Sequence, residues 1–133
     1  MIKVILAIFQ ILIGVGFIGF WGYFFAVENK DPDRSEVYLA FERSFPIPDL
    51  LWITPCLFIA AIGLFMDQVY GDFFTAIVGS ALLFLGLLDI SFNARQGGYS
   101  GDIGDTIMNL FINGVCILFG PIFMLYGWYA LVP

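Results

Sequence analysis

Residues 73–113 read F-F-T-A-I-V-G-S-A-L-L-F-L-G-L-L-D-I-S-F-N-A-R-Q-G-G-Y-S-G-D-I-G-D-T-I-M-N-L-F-I-N. From Phe73 to Leu88 there is no formal charge, and the run continues past Asp89 to Ala94 before Arg95 closes it. About 20 apolar residues are needed to cross a hydrocarbon core roughly 30 Å thick. The stretch therefore predicts a membrane-spanning helix with a carboxylate set inside its second half. A further charge-free run starts at Thr106 and lasts to the C-terminus.

The same test applied outward finds Val4 to Val27 and Leu50 to Met66. The approximate spans are 3–27, 49–67, 72–95 and 104–131, within a single domain covering 1–133. Composition agrees: 61% hydrophobic, 19% aromatic and only 12% charged residues lie far outside soluble usage. The expected fold class is all-α integral membrane, a four-transmembrane-helix bundle with one amphipathic interfacial helix between helices 1 and 2. Lys3 before an apolar run resembles a signal peptide, but the run is too long and no A-x-A-like site follows, so it reads as retained.

In the connection from Glu28 to Asp49, Asp33 and Glu36 fit a capping box. Val37, Tyr38, Phe41 and Phe45 recur as one apolar face. This predicts a short helix over about 34–45 lying along the membrane surface, ended by the proline after Phe45. Glu42 and Arg43 would then sit as lid or mouth residues over the bundle, next to Asp49. Asp49 is a plausible N-cap of the second span, and Pro55 favours a bend in it.

Absences narrow the chemistry. The chain has no histidine, so it supplies no haem imidazole, no His-based zinc or copper site and no Ser-His-Asp triad. No cofactor is expected. Cys56 and Cys116 lack C-x-x-C spacing and read as buried core residues. A net charge of −6 without a basic cluster argues against nucleic acid. The expected partners are the lipid bilayer and either further copies of this chain or other membrane subunits. Gly14 to Gly19 spell G-x-G-x-x-G, but the fingerprint has meaning only between a strand and a helix. Gly16, Gly19 and Gly22 instead predict a groove for a partner helix.

Small and polar residues form stripes. In the second span they are Asp49, Ile53, Cys56, Ala60, Gly63 and Asp67. In the third they are Gly79, Leu82, Gly86, Asp89 and Asn93, and in the fourth Asp105, Asn109, Asn113, Cys116 and Gly120. Asp67 to Asp72 reads as a tight turn with solvated charges. At 1.5 Å per residue, Asp89 lies roughly 8 Å inside its span and Asn109 and Asn113 roughly 6 to 12 Å inside theirs. Asp89, Asn93, Asn109 and Asn113 thus reach one layer, with Arg95 nearby and Gln10 as the polar side chain of the first span. An ionised carboxylate at that depth must pair with Arg95 or Arg43, take up a proton, or face water.

The leading expectation is a small oligomeric transporter or channel for a cation, a proton or a small polar solute. The alternative is a non-catalytic structural or accessory subunit of a larger membrane complex. An enzyme using Asp89, Glu42 or Asp49 as acid or base ranks last. The Lys and Arg count leans residues 28–49 towards the cytoplasm.

Overall fold

The computed structural model describes residues 1–133, and every regular element in it is helical. Four helices are long and apolar enough to cross a membrane. The chain forms two compact units, Met1–Gly71 and Asp72–Pro133.

The first unit is built on α1, Ile2–Ala26. Its buried residues Ala7, Gln10, Gly14, Trp21 and Phe24 recur at multiples of three and four, with Phe17 half-buried between them. That period makes one seam along a helix. The partner is α3, which opens as a turn over Pro46–Pro48, widens into a π-helical stretch at Asp49–Ile53 and is regular over Thr54–Phe65. The two run antiparallel, as three pairings along them require: Lys3 with Asp67, Gly14 against Phe58, and Trp21 with Asp49. A Cβ on Gly14 would lie 3.0 Å from the Phe58 ring. The expected groove at Gly16, Gly19 and Gly22 receives nothing from this chain, because a Cβ at any of the three meets no atom within 4 Å. They lie off the seam.

Local chemistry explains where α3 differs from expectation. Asp49 is not its N-cap, since the helix already starts at Pro46 and carries Asp49 within it. Pro55 has no N–H to offer the carbonyl four residues back. The backbone takes a wider turn there, with the Thr54 N–H bonded to the Asp49 carbonyl five residues away. Of the expected stripe, Asp49, Ile53, Cys56, Ala60 and Gly63 are buried, whereas Asp67 is exposed at the turn.

The connector holds a 3₁₀ turn, Glu28–Lys30, and a short helix α2, Glu36–Glu42. Ser35, not Asp33, caps α2, its hydroxyl accepting the Tyr38 N–H at 3.1 Å. The Asp33 N–H is itself bonded to the Asp31 carboxylate. The inward residues of α2 are Leu39 and Glu42, while Val37 is exposed. Leu39 packs with Trp21 and Phe24, and Tyr38, Phe45 and Leu50 border that cluster. The aromatic end of α1 thus turns the apolar face of α2 by about one residue from the one its spacing suggests.

At the end of α3 the chain reverses through Asp67, whose φ is 54°. The Gln68 N–H closes the helix on the Gly63 carbonyl at 2.8 Å. Backbones then touch, since a Cβ on Gly63 would sit 2.5 Å from the Gly71 Cα.

The second unit is an antiparallel pair made by most of α4, Val69–Gln96, and α5, Ile103–Leu131. Ala76 meets Gly127, Gly79 and Leu83 meet Gly120, and Gly86 meets Cys116. The contacts advance by three and four along α4, the step that keeps side chains on one face. Asp72, expected to be solvated in the turn, is buried in the first turns of α4, where its carboxylate accepts the Tyr126 hydroxyl at 2.6 Å. Cys56 and Cys116 are both buried and free, as expected.

Two outcomes follow. A Cβ at Gly79 would lie 2.6 Å from the Gly120 carbonyl oxygen and the Met124 nitrogen, atoms of backbone that cannot swing aside. Gly79→Ala should therefore lower stability in detergent by about 1–3 kcal/mol, while Gly16→Ala should leave it unchanged or raised; thermal unfolding of both variants checks this. The hydrogen bond and charge of Lys3 hold the exposed Asp67 carboxyl below its ordinary value of 3.8. A depressed carboxyl stabilises the fold above its unfolded value and ceases to do so as pH falls through the lowered one. Lys3→Met should remove that acid-limb loss, read as a smaller fall in unfolding temperature below about pH 4.

Candidate functional site

The α4–α5 crossing brings part of the expected polar layer together. Asn93 and Asn113 are buried, and their amides are the polar neighbours of the half-buried Asp89 carboxylate. Asn93 also donates to the Asp89 backbone carbonyl at 3.0 Å, one turn back along α4. The seam that packs glycine against glycine lower down has room for amides here. No basic side chain of their own unit joins them, since Arg95 is exposed, and in the other unit the Arg43 Nε donates to Asn29 at 2.7 Å. Among the three ways out for a carboxylate at this position, pairing with Arg95 is absent.

The amides also hold down the loop between α4 and α5. Asn109 donates to the Gly98 carbonyl at 2.9 Å, and Asn113 donates to the Tyr99 hydroxyl at 2.5 Å. The Gly98 N–H returns to the Asn93 carbonyl at 2.9 Å, and Gly97 takes a φ of 74° that suits glycine. A Cβ on Gly98 would lie 2.1 Å from the Asn93 Oδ1. The loop therefore lies flat on the helix ends. Asp102 finishes it by capping α5, its carboxylate accepting the Gly104 and Asp105 N–H groups.

Sequence reasoning missed Tyr99. It stands in a turn, where periodicity carries no information, and only its glycine neighbours signal a backbone free to fold the ring inward. Burial pushes its phenol above the ordinary value of 10.0, the Asn113 bond pulls it partly back, and the charge of Asp89 adds to the rise. The hydroxyl stays neutral beside the carboxylate at physiological pH.

The other candidate residues lie in the first unit. Gln10 is fully buried on the α1 seam. Glu42 and Asp49, expected at a mouth, are both buried, and Asp49 accepts the Trp21 indole N–H at 3.0 Å. Arg43 is exposed. Glu28 was not singled out, yet it is buried and accepts the Arg34 guanidinium at 3.2 Å and the Tyr38 hydroxyl at 2.8 Å. The Arg34 guanidinium also lies 5.2 Å from the Tyr38 ring centre, a cation–π distance. The spacing of Glu28, Arg34 and Tyr38 in a charged loop gave no helical or strand period from which to read this. No group of three or more His, Cys, Asp or Glu gathers as a metal site.

No family model, no curated protein and no solved structure matches this chain.

The loop ties are testable. Removing the Asn109 donor should free the Gly98 carbonyl at about 1 kcal/mol. Asn109→Ala should therefore speed hydrogen exchange at residues 97–102 by roughly fivefold, with little change elsewhere in α5.

Proposed function

We propose that the chain is a small multi-pass membrane protein that, as an oligomer, moves a cation, a proton or a small polar solute through a path centred on Asp89. The membrane setting is supported by large apolar side chains that stay exposed along all four long helices, among them Leu12, Ile62, Phe84 and Leu118. In water such a surface would drive aggregation. In lipid it is the natural exterior, and α2 with its connector would lie at the membrane surface.

The observation that carries the transport reading is the half-buried carboxylate of Asp89, which has amides for neighbours and no basic side chain of its own unit paired with it. In hydrocarbon such a group costs several kcal/mol unless something compensates its charge. An ion or proton that comes and goes would do so. Two helices enclose little volume, and so copies would assemble to complete the path.

A second reading has its own observation. The open faces of Gly16, Gly19 and Gly22 on α1 suit close approach by a helix of another subunit, as in a non-catalytic accessory subunit of a larger membrane complex.

Reconstitution separates the two. Purified protein in liposomes loaded with ion- and pH-sensitive dyes should show flux. Asp89→Asn should reduce that flux roughly tenfold, the equivalent of about 1.4 kcal/mol, with elution volume and helix content unchanged. If the wild-type protein moves no ion, proton or solute, the transport reading fails. Co-purification from native membranes only with other subunits would then favour the accessory role.

A further inference from the structure

Along the seam of α4 and α5, the level of Asp89 is shut off at one end and covered at the other. Gly86 meets Cys116, and three residues further along each helix stand Asp89 and Asn113, so the antiparallel register by itself puts these two at one level. In the other direction the helices stay in contact. A Cβ on Gly79 would lie 2.6 Å from the Gly120 carbonyl oxygen, and one on Gly127 would lie 2.5 Å from the Ala76 Cβ. Nothing reaches Asp89 along the seam from that end.

The open end leads to the loop over residues 97–102, and one side chain of that loop reaches in. The Tyr99 hydroxyl and the Asn113 amide are hydrogen-bonded at 2.5 Å, a pairing that stands whichever way the amide faces. One turn nearer the loop, the Gly98 carbonyl accepts the Asn109 amide at 2.9 Å. Tyr99 is half-buried and thus runs from the loop down to the level that Asn113 shares with Asp89.

The loop is lightly fastened. Its sequence from 97 is G-G-Y-S-G-D, so Tyr99 is its one bulky side chain. Gly97 takes a φ of 74°, and a Cβ on Gly101 would meet nothing nearer than 3.9 Å, which brackets Tyr99 between two small positions. Hydrogen bonds hold it down: those from Asn109 and Asn113, and that of the Gly98 N–H to the Asn93 carbonyl. A segment fastened by a few such bonds opens locally at small cost while the helices beneath stay folded.

We infer that residues 97–102 form a lid over the Asp89 layer, latched by the hydrogen bond between Tyr99 and Asn113, with the Tyr99 ring closing the loop-side approach to the carboxylate. The purpose of the lid rests on the transport reading, in which it governs access from that side. The lid itself stands on the register and the hydrogen bonds.

The test is carboxyl labelling of the full-length protein in detergent by a water-soluble carbodiimide and an amine, read at each aspartate by peptide mass. In the wild-type chain Asp89 should label more slowly than the exposed Asp102. Tyr99→Phe, which keeps the ring and removes the latch, should label Asp89 roughly fivefold faster, the effect of about one hydrogen bond. Tyr99→Ala should be faster again, and Ile103→Ala, at an exposed neighbouring position, should match the wild type. Asp72, buried at the shut end of the same helix pair, is the internal control, and its labelling should stay constant. Equal labelling of Asp89 in wild type and Tyr99→Ala overturns the lid, as does wild-type labelling of Asp89 at the Asp102 rate. So does a rise at Asp72 that matches the rise at Asp89, since the pair has then loosened as a whole. Liposome flux keeps the two readings apart: labelling that follows Tyr99 without any flux leaves the lid and sinks transport, while flux with unchanged labelling in both Tyr99 variants does the reverse.

Discussion

Backbone contact between α4 and α5 is the constraint on which the second unit depends. Where Gly79 meets Gly120 and Gly127 meets Ala76, at most a methyl group stands between the helices. In the membrane proposed for this chain, lipid would give no hydrophobic drive for two apolar helices to associate, so van der Waals contact and interhelical hydrogen bonds would have to do it. Close approach maximises the first of these. It also fixes register, since a slip of one turn would put a Leu or Ile side chain where only a hydrogen fits. With register fixed, Asn113 must arrive beside Asp89, and Asn109 beside the loop.

The polar layer then has two parts that look alike in sequence. Asn109 and Asn113 bind loop atoms and so tie α5 to the turn, while Asn93 bonds a carbonyl one turn back in its own helix. Asp89 is different, because its carboxylate is a charge and not a dipole, and the amides around it soften that charge without cancelling it.

The first unit solves a different problem. Its connector carries more acids than bases, yet Glu28, Glu42 and Asp49 are all buried. Indole, phenol and guanidinium donors from Trp21, Tyr38 and Arg34 meet Asp49 and Glu28. Trp21 near the end of α1 therefore acts as hydrogen-bond donor and packing surface at once. That is why α2 turns Leu39 onto Trp21 and Phe24 and leaves Val37 outside.

Length and apolarity alone determined the four long helices, because a charge-free run of that size has few other uses. The stripes were legible too: Gly79, Leu82, Gly86 and Asn93 on one helix, and Asn113, Cys116 and Gly120 on the other, are buried as their spacing requires. Periodicity reports which face is alike, but it does not report what lies opposite. So the caps at Asp33 and Asp49 and the solvated reading of Asp72 did not match the fold. Each depended on a partner elsewhere in the chain: Ser35, a helix begun at Pro46, and Tyr126. Tyr99 and Glu28 were invisible for the same reason, since each sits in a connection and gains its role from side chains six or more residues away. Spacing set the faces, and only the meeting of backbones at the glycines decided which polar atoms would find each other.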